Sequence, residues 1–288
     1  MIINLKNLNL FFACAIILSI ISCKSKTEKD VYRNSAMYDI ANPSIIDLPE
    51  ELDEISGIAY YPKDTSVFAI IDEDGLLFKI PIKHPGEAKE WRFAEKRDYE
   101  DVILQDSVFY TLVSNGNIIP IRFEGEKITT DKFHFEEASK KVNEFEALYF
   151  DDYIGRMVVM CKDCEKDKKK EVSTFYYDDS AKVFVPYIQI DVEPIAKKLG
   201  MDKLSLKPSA AAINPITKEL YIVCSVSKLL VITDRNGKFK DVFKLNPKIY
   251  KQPEGLAFTP AGDMIISNEV YLEGYATLLI LKNKMKGK

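Results

Sequence analysis

One short phrase occurs five times in the 288-residue chain, and it constrains the fold more than any other feature. A polar residue precedes a small one, and alternating apolar positions follow. The copies are Ser56-Gly57-Ile58-Ala59-Tyr60, Glu100-Asp101-Val102-Ile103-Leu104, Glu146-Ala147-Leu148-Tyr149-Phe150, Ser209-Ala210-Ala211-Ala212-Ile213 and Glu254-Gly255-Leu256-Ala257-Phe258. Their spacings are 44, 46, 63 and 45 residues. A period of ~40–50 residues is the size of one four-stranded propeller blade. The residues inside each period agree with that. A second β-rich run follows each phrase, as in Val67–Asp72, Val108–Val113, Met157–Cys161, Leu220–Cys224 and Met264–Ser267. Turn chemistry separates the runs, for example Asn214-Pro215 and Thr259-Pro260-Ala261-Gly262. Third runs follow, and Asp234-Arg235-Asn236-Gly237 reads as a hairpin. The expectation is an all-β chain: a single propeller of five four-stranded blades.

Two segments stand outside the period. The 63-residue interval contains about 18 extra residues, with helical spacing over Val192–Leu199 and a closing Gly200. The segment Met37–Asp47 precedes the first repeat and is expected to supply the outer strand of the last blade. That closes the ring and leaves no open sheet edge. The alternative is six blades, with the residues near 191–203 forming part of an extra one.

The first 22 residues read as a leader rather than as fold. An uncharged stretch of 13 residues, Leu10–Ser22, is shorter than the ~20 needed for a spanning helix and suits the apolar region of a secretory signal. It ends in Ile20-Ile21-Ser22-Cys23, which resembles a bacterial lipobox. That resemblance implies cleavage before Cys23 and lipid attachment to it, followed by a polar tether over residues 23–35 and a propeller domain over 36–288. The expected location is the bacterial cell envelope, outside the cytoplasm, with the chain held to a membrane by its lipid. Periplasmic face and cell surface stay open. Formal net charge is −4 over the whole chain. That acidity argues against nucleic acid as a partner.

Ser56-Gly57-Ile58-Ala59-Tyr60, Asp72-Glu73-Asp74-Gly75, Glu144-Phe145-Glu146-Ala147-Leu148, Lys207-Pro208-Ser209-Ala210-Ala211 and Gln252-Pro253-Glu254-Gly255-Leu256-Ala257-Phe258 resemble the SdiA-regulated (YjiK-like) domain family. The resemblance covers roughly residues 36–282. It implies an extracytoplasmic propeller, often a lipoprotein, and a divalent cation, calcium first, near the central channel. The fourth phrase carries Ser209 where three others carry glutamate.

The first strand of a blade lines the central channel, so Ser56, Glu100, Glu146, Ser209 and Glu254 are expected to converge at one end of it. Two unit charges ~5 Å apart repel by about 3 kcal/mol at an effective dielectric of 20. The site therefore either protonates one of Glu100, Glu146 and Glu254 or binds a cation, and oxygen ligands favour calcium or magnesium. The alternative is that these glutamates accept backbone N–H groups and tie blades together. Asp72, Glu73 and Asp74, Ser114 and Asn115, and Ser267, Asn268 and Glu269 end second strands and are candidates for the same mouth.

Cys161-Lys162-Asp163-Cys164 leaves several readings open: a local disulfide, a cross-blade pair with Cys224, free thiols, or a metal site lacking its second half. The run Glu165–Glu171 that follows reads as a solvated loop. No G-x-S-x-G elbow exists, and the chain has only two histidines, His84 and His134. Trp91 is expected in blade packing. Two functions follow from these residues. One is a binding or scaffold module for a protein, glycan or small ligand. The other is a calcium-dependent hydrolase (lactonase-, esterase- or phytase-like) working through the channel carboxylates.

Overall fold

The structure is a computed structural model and describes residues 31–125, 127–131, 143–178 and 180–285. The leader, Cys23, the tether up to residue 30 and His134 lie outside the described residues. Among the described residues, twenty strands form five four-stranded antiparallel sheets. The first sheet is β2 (Ile55–Tyr61), β3 (Ser66–Ile71), β4 (Leu76–Pro81) and β5 (Lys89–Arg92). The second is β6 (Tyr99–Gln105), β7 (Val108–Val113), β8 (Ile118–Glu124) and β9 (Lys127–Thr130). The third is β10 (Asn143–Asp151), β11 (Arg156–Cys164), β12 (Glu171–Asp178) and β13 (Val183–Asp191). The fourth is β14 (Ala210–Ile213), β15 (Leu220–Cys224), β16 (Leu229–Thr233) and β17 (Phe239–Lys244). The fifth is β18 (Pro253–Phe258), β19 (Met264–Asn268) and β20 (Thr277–Leu281), completed by β1 (Ser44–Asp47).

The ring therefore closes as the sequence suggests. Ser44 to Asp47 pairs antiparallel with Ile280 to Thr277, so the N-terminal strand supplies the last blade's outer edge. The five inner strands, β2, β6, β10, β14 and β18, each touch the next, and β18 touches β2. The six-blade alternative is overturned. The insertion folds as one short helix, α1 (Glu193–Leu199), which has Pro194 near its start and Gly200 in the left-handed region at its end.

Apolar burial is organised by seam. Five hydrophobic clusters exist, one between each pair of neighbouring blades. Trp91 sits on the first seam, edge-on to Phe123 and stacked with Phe68. Ile195 of α1 packs into the seam between the third and fourth blades. Met37, Tyr38 and Ile40 are buried between the fourth and fifth. There the Tyr38 hydroxyl donates to the Gly262 carbonyl (2.6 Å) and accepts from Asn214 Nδ2 (2.7 Å). The Tyr250 hydroxyl donates to the Ile40 carbonyl (2.8 Å). The entering segment is thus fixed before β1 begins.

Glycine in the repeat phrase has a packing cause. A β-carbon on Gly57 would lie 2.3 Å from the Asp101 Cα, and one on Gly255 would lie 2.6 Å from the Ser56 carbonyl oxygen. Inner strands of adjacent blades approach too closely for a side chain there.

Candidate functional site

At four of its five positions, Ser209 excepted, the repeated polar residue falls in a β-bulge. In the β6–β7 pairing, Tyr99 faces Val113 and Asp101 faces Leu112, which leaves Glu100 unpaired between them. Glu254 is skipped in the same way between Pro253 and Gly255. Ser56 falls in the shift between Ile55 and Ile58, and Glu146 in the shift between Phe145 and Ala147. A bulge turns one side chain out of the pleat. Repeated around the ring, it aims these side chains at the channel mouth.

The column divides by residue type. Its serines tie blades: Ser56 Oγ donates to the Glu100 carbonyl (2.6 Å), and Ser209 Oγ donates to the Pro253 carbonyl (2.8 Å). Ser267, off the column, donates to the Ser56 carbonyl (2.8 Å). Its glutamates instead line a cavity of about 670 Å³. Eight carboxylates surround this cup: Glu54, Asp72, Asp98, Glu100, Glu144, Glu146, Glu254 and Glu269. Lys162 is the one cation in its lining. Ser114 and Asn115 also face it, so three second-strand ends reach the mouth that the column lines. Asp72 is drawn in through its backbone, whose carbonyl accepts the Tyr99 N–H (2.8 Å) across the seam. Asp74 turns outward to Arg92 and Lys96.

Electrostatics follow from this crowding. Burial, then Asp98, Asp72 and Glu254, push Glu100 up to about 9 against the relief from Lys162. Burial and Asp98 push Asp72 to about 7. Burial and Glu254 push Glu269 to about 7. Burial raises Glu254 as well, opposed by Ser225, Lys162 and Lys228. Glu146 has a different partner. Lys162 is skipped in the β10–β11 register just as Glu146 is, and the two bulged residues form an ion pair. Beyond them the mouth changes sign. An adjoining cavity of about 550 Å³ shares Glu146, Lys162, Gln252 and Glu254 and adds Lys207, Lys228 and Lys251.

The donor set fits a hard cation in its chemistry, since every ligand-capable group in the cup is an oxygen or amide side chain, Lys162 aside. Asp72 Oδ1 is buried and has no hydrogen-bond partner, so it is an oxygen that a cation would satisfy. Glu100, Glu146 and Glu254 share the cup, but their oxygens are not drawn around one point. Among the described residues, the one set of three donor atoms within 4.8 Å of one another is Cys161, Cys164 and Asp167. Cys161 and Cys164 are joined as a disulfide, which takes their sulfurs out of metal binding. The cross-blade alternative does not form: Cys224 is buried with its thiol free.

Sequence reasoning missed two residues here. Asp101 is 2% exposed and accepts the N–H groups of Val102 and Leu148, both at 2.8 Å. It ties the second blade to the third, the structural role weighed above for its neighbour Glu100. In the sequence Lys162 stands out only as part of the cysteine motif.

No family model matches the chain, and no curated protein matches it. Solved structures do. The chain is similar to glutaminyl cyclase of Myxococcus xanthus, with TM-score 0.59 and 12% identity over 83% of this chain and 94% of that one. It is similar to a luciferin-regenerating enzyme, with TM-score 0.52 and 11% identity over 85% and 96%. It is also similar to the PQQ-bound aldose sugar dehydrogenase of Streptomyces coelicolor, with TM-score 0.51 and 10% identity over 84% and 98%. At these identities the likeness is one of fold.

Proposed function

We propose that this protein is a lipid-anchored binding module of the bacterial cell envelope whose channel mouth takes a cation, with calcium as the expected ion. The reading rests on one observation: eight carboxylates line a single cup with one lysine among them. Burial and mutual repulsion raise the pKa values of Asp72, Glu100 and Glu269, and a divalent ion bound among them would displace their protons. Asp72, Glu100 and Glu254 are the ligands we assign first, because Glu146 is already neutralised by Lys162. Their oxygens do not all lie within 4.8 Å of one another, so binding would have to draw them together. The resemblance to SdiA-regulated propellers, which carries calcium and lipid attachment with it, agrees with this assignment. Fold does not choose a function, since the three structural neighbours are named for unrelated chemistries.

A second reading, a calcium-dependent hydrolase, draws on Asp72 and Asp98. Two facing carboxyls, one of them pushed to about 7, could pass a proton at neutral pH.

Thermal unfolding in chelator and in calcium tests the binding reading. Calcium at a hundredfold excess over Kd should stabilise the wild type by ~2.7 kcal/mol, and Glu254→Gln should remove most of that response. An identical melting temperature in chelator and in millimolar calcium would reject it.

A further inference from the structure

The two departures from the blade repeat meet at one place. The run after Cys164 and the insertion carrying α1 together enclose a cavity of about 1140 Å³, separate from the acidic cup. Five lysines line it: Lys168, Lys169 and Lys170 from the turn between β11 and β12, and Lys197 and Lys203 from the insertion. Three acids, Asp191, Glu193 and Asp202, share the lining, and Asp191 accepts the Glu193 N–H (2.9 Å). Among the described residues, none of the five lysines has an ion-pair partner. We propose that this cavity is an anion site that binds clustered phosphate groups.

The lysine turn is built to hold its shape. Cys161–Cys164 braces the strand that leads into it. Asp167, 6% exposed, accepts the Ser173 N–H (2.9 Å) and the Ser173 hydroxyl (2.5 Å), which clamps the turn against β12. Lys168 and Lys169 then lie at φ 46° and 60°, in the left-handed region that glycine occupies without strain. Two lysines in succession keep a conformation that suits them poorly, and both line the cavity together with residues of the insertion. A cavity lined by five lysines, none of them ion-paired among the described residues, against three acids offers clustered anionic oxygens a multivalent partner.

Two sources supply that chemistry: a free oligophosphate, or the phosphodiester headgroups of a membrane. The headgroup source has support from the chain's path. Tyr32, near the start of the described chain, lies in an adjoining cavity that shares Met201 and Leu204 with the lysine cavity. Eight residues separate it from Cys23, a reach of at most ~32 Å over nine Cα steps.

The experiment is calorimetric titration of the full-length protein in non-ionic detergent with sodium tripolyphosphate and, separately, with dihexanoyl phosphatidylglycerol below its micelle concentration. Dihexanoyl phosphatidylcholine is the zwitterionic control. The expected result is saturable binding of at least one anionic probe, weakened about tenfold or more in Lys168→Gly/Lys169→Gly. That variant removes two charges while relieving the strained turn, so it should unfold no earlier than wild type. Lys197→Gln, on the exposed face of α1, should weaken binding independently. Tripolyphosphate alone binding points to a free oligophosphate. Phosphatidylglycerol binding and competing with it points to headgroups. Absence of binding by both anions, or binding indifferent to all three substitutions, overturns the site. Calcium affinity at the acidic cup is unaffected in every case, which keeps the two sites separable.

Discussion

Asp101 Oδ2 accepts the Leu148 N–H at 2.8 Å, joining the inner strands of the second and third blades through a carboxylate that solvent scarcely reaches. Its other oxygen takes the Val102 N–H at the same distance. Burial drives its pKa upward, and the two N–H groups oppose that. Asp101→Asn turns one acceptor into an NH2 group facing an N–H donor. It should cost about 2–3 kcal/mol in denaturant unfolding, and it should leave calcium binding at the cup intact. A change below 0.5 kcal/mol would show that the seam does not depend on this carboxylate.

Ring closure depends on the segment ahead of the first repeat. Deleting residues 24–30 should leave the denaturation midpoint unchanged. Deleting through Asp47 removes β1 together with the buried Met37, Tyr38 and Ile40, and should prevent cooperative folding. A gentler probe is Tyr38→Phe, which strips the Gly262 carbonyl and the Asn214 amide of a shared partner at a cost of about 1–2 kcal/mol. Equal stability of both deletions would contradict closure by the N-terminal strand.

Lipid attachment is tested in a bacterial host that uses the native leader. Wild-type protein should label with palmitate and fractionate with membranes, and Cys23→Ala should do neither. Two lipid-bearing signals hold far better than one acyl chain, so a partial loss of membrane fraction without loss of label would argue for another anchor.

Glu100 gives the stability curve a direction in pH. Its folded-state pKa is about 9, above the ordinary carboxylate value, so the folded state holds this proton more tightly than the unfolded chain does. That contribution is whole below the ordinary carboxylate range and is lost as pH rises toward 9. Glu100→Gln carries no such proton. In chelator it should match wild type near pH 4 and melt about 2–4 °C higher near pH 8. Its backbone carbonyl still accepts the Ser56 hydroxyl, so the blade tie survives. A variant less stable than wild type at pH 8 would assign the side chain a structural role.

The period near 45 residues revealed the blades, the closing strand and the channel column, because each blade repeats the same burial demand on its inner strand. The insertion declared itself by breaking that period and by its helical spacing ending in Gly200. What the column does was not legible. A bulge has no fixed sequence mark, so the repeat placed Glu100 and Glu254 at the channel, but neither the bulges that turn them into it nor the meeting of Glu146 with Lys162 followed from spacing. The serine ties were hidden for another reason: their acceptors are backbone carbonyls of the next blade, which no side-chain pattern encodes. Asp101 occupies the small-residue position of its phrase, and nothing in that pattern marks the bond its carboxylate accepts from Leu148 of the next blade.

The most direct test of the acidic cup is calcium titration by calorimetry near pH 7 in two buffers of different ionisation enthalpy, which counts the protons released on binding. Asp72 and Glu269 sit near 7 and Glu100 near 9, so the cup carries protons there that a bound cation must displace. The account predicts saturable binding with net proton release, reduced in Glu100→Gln and nearly abolished in Glu100→Gln/Glu254→Gln. No calcium heat, or binding that releases no protons and survives both substitutions, would contradict it.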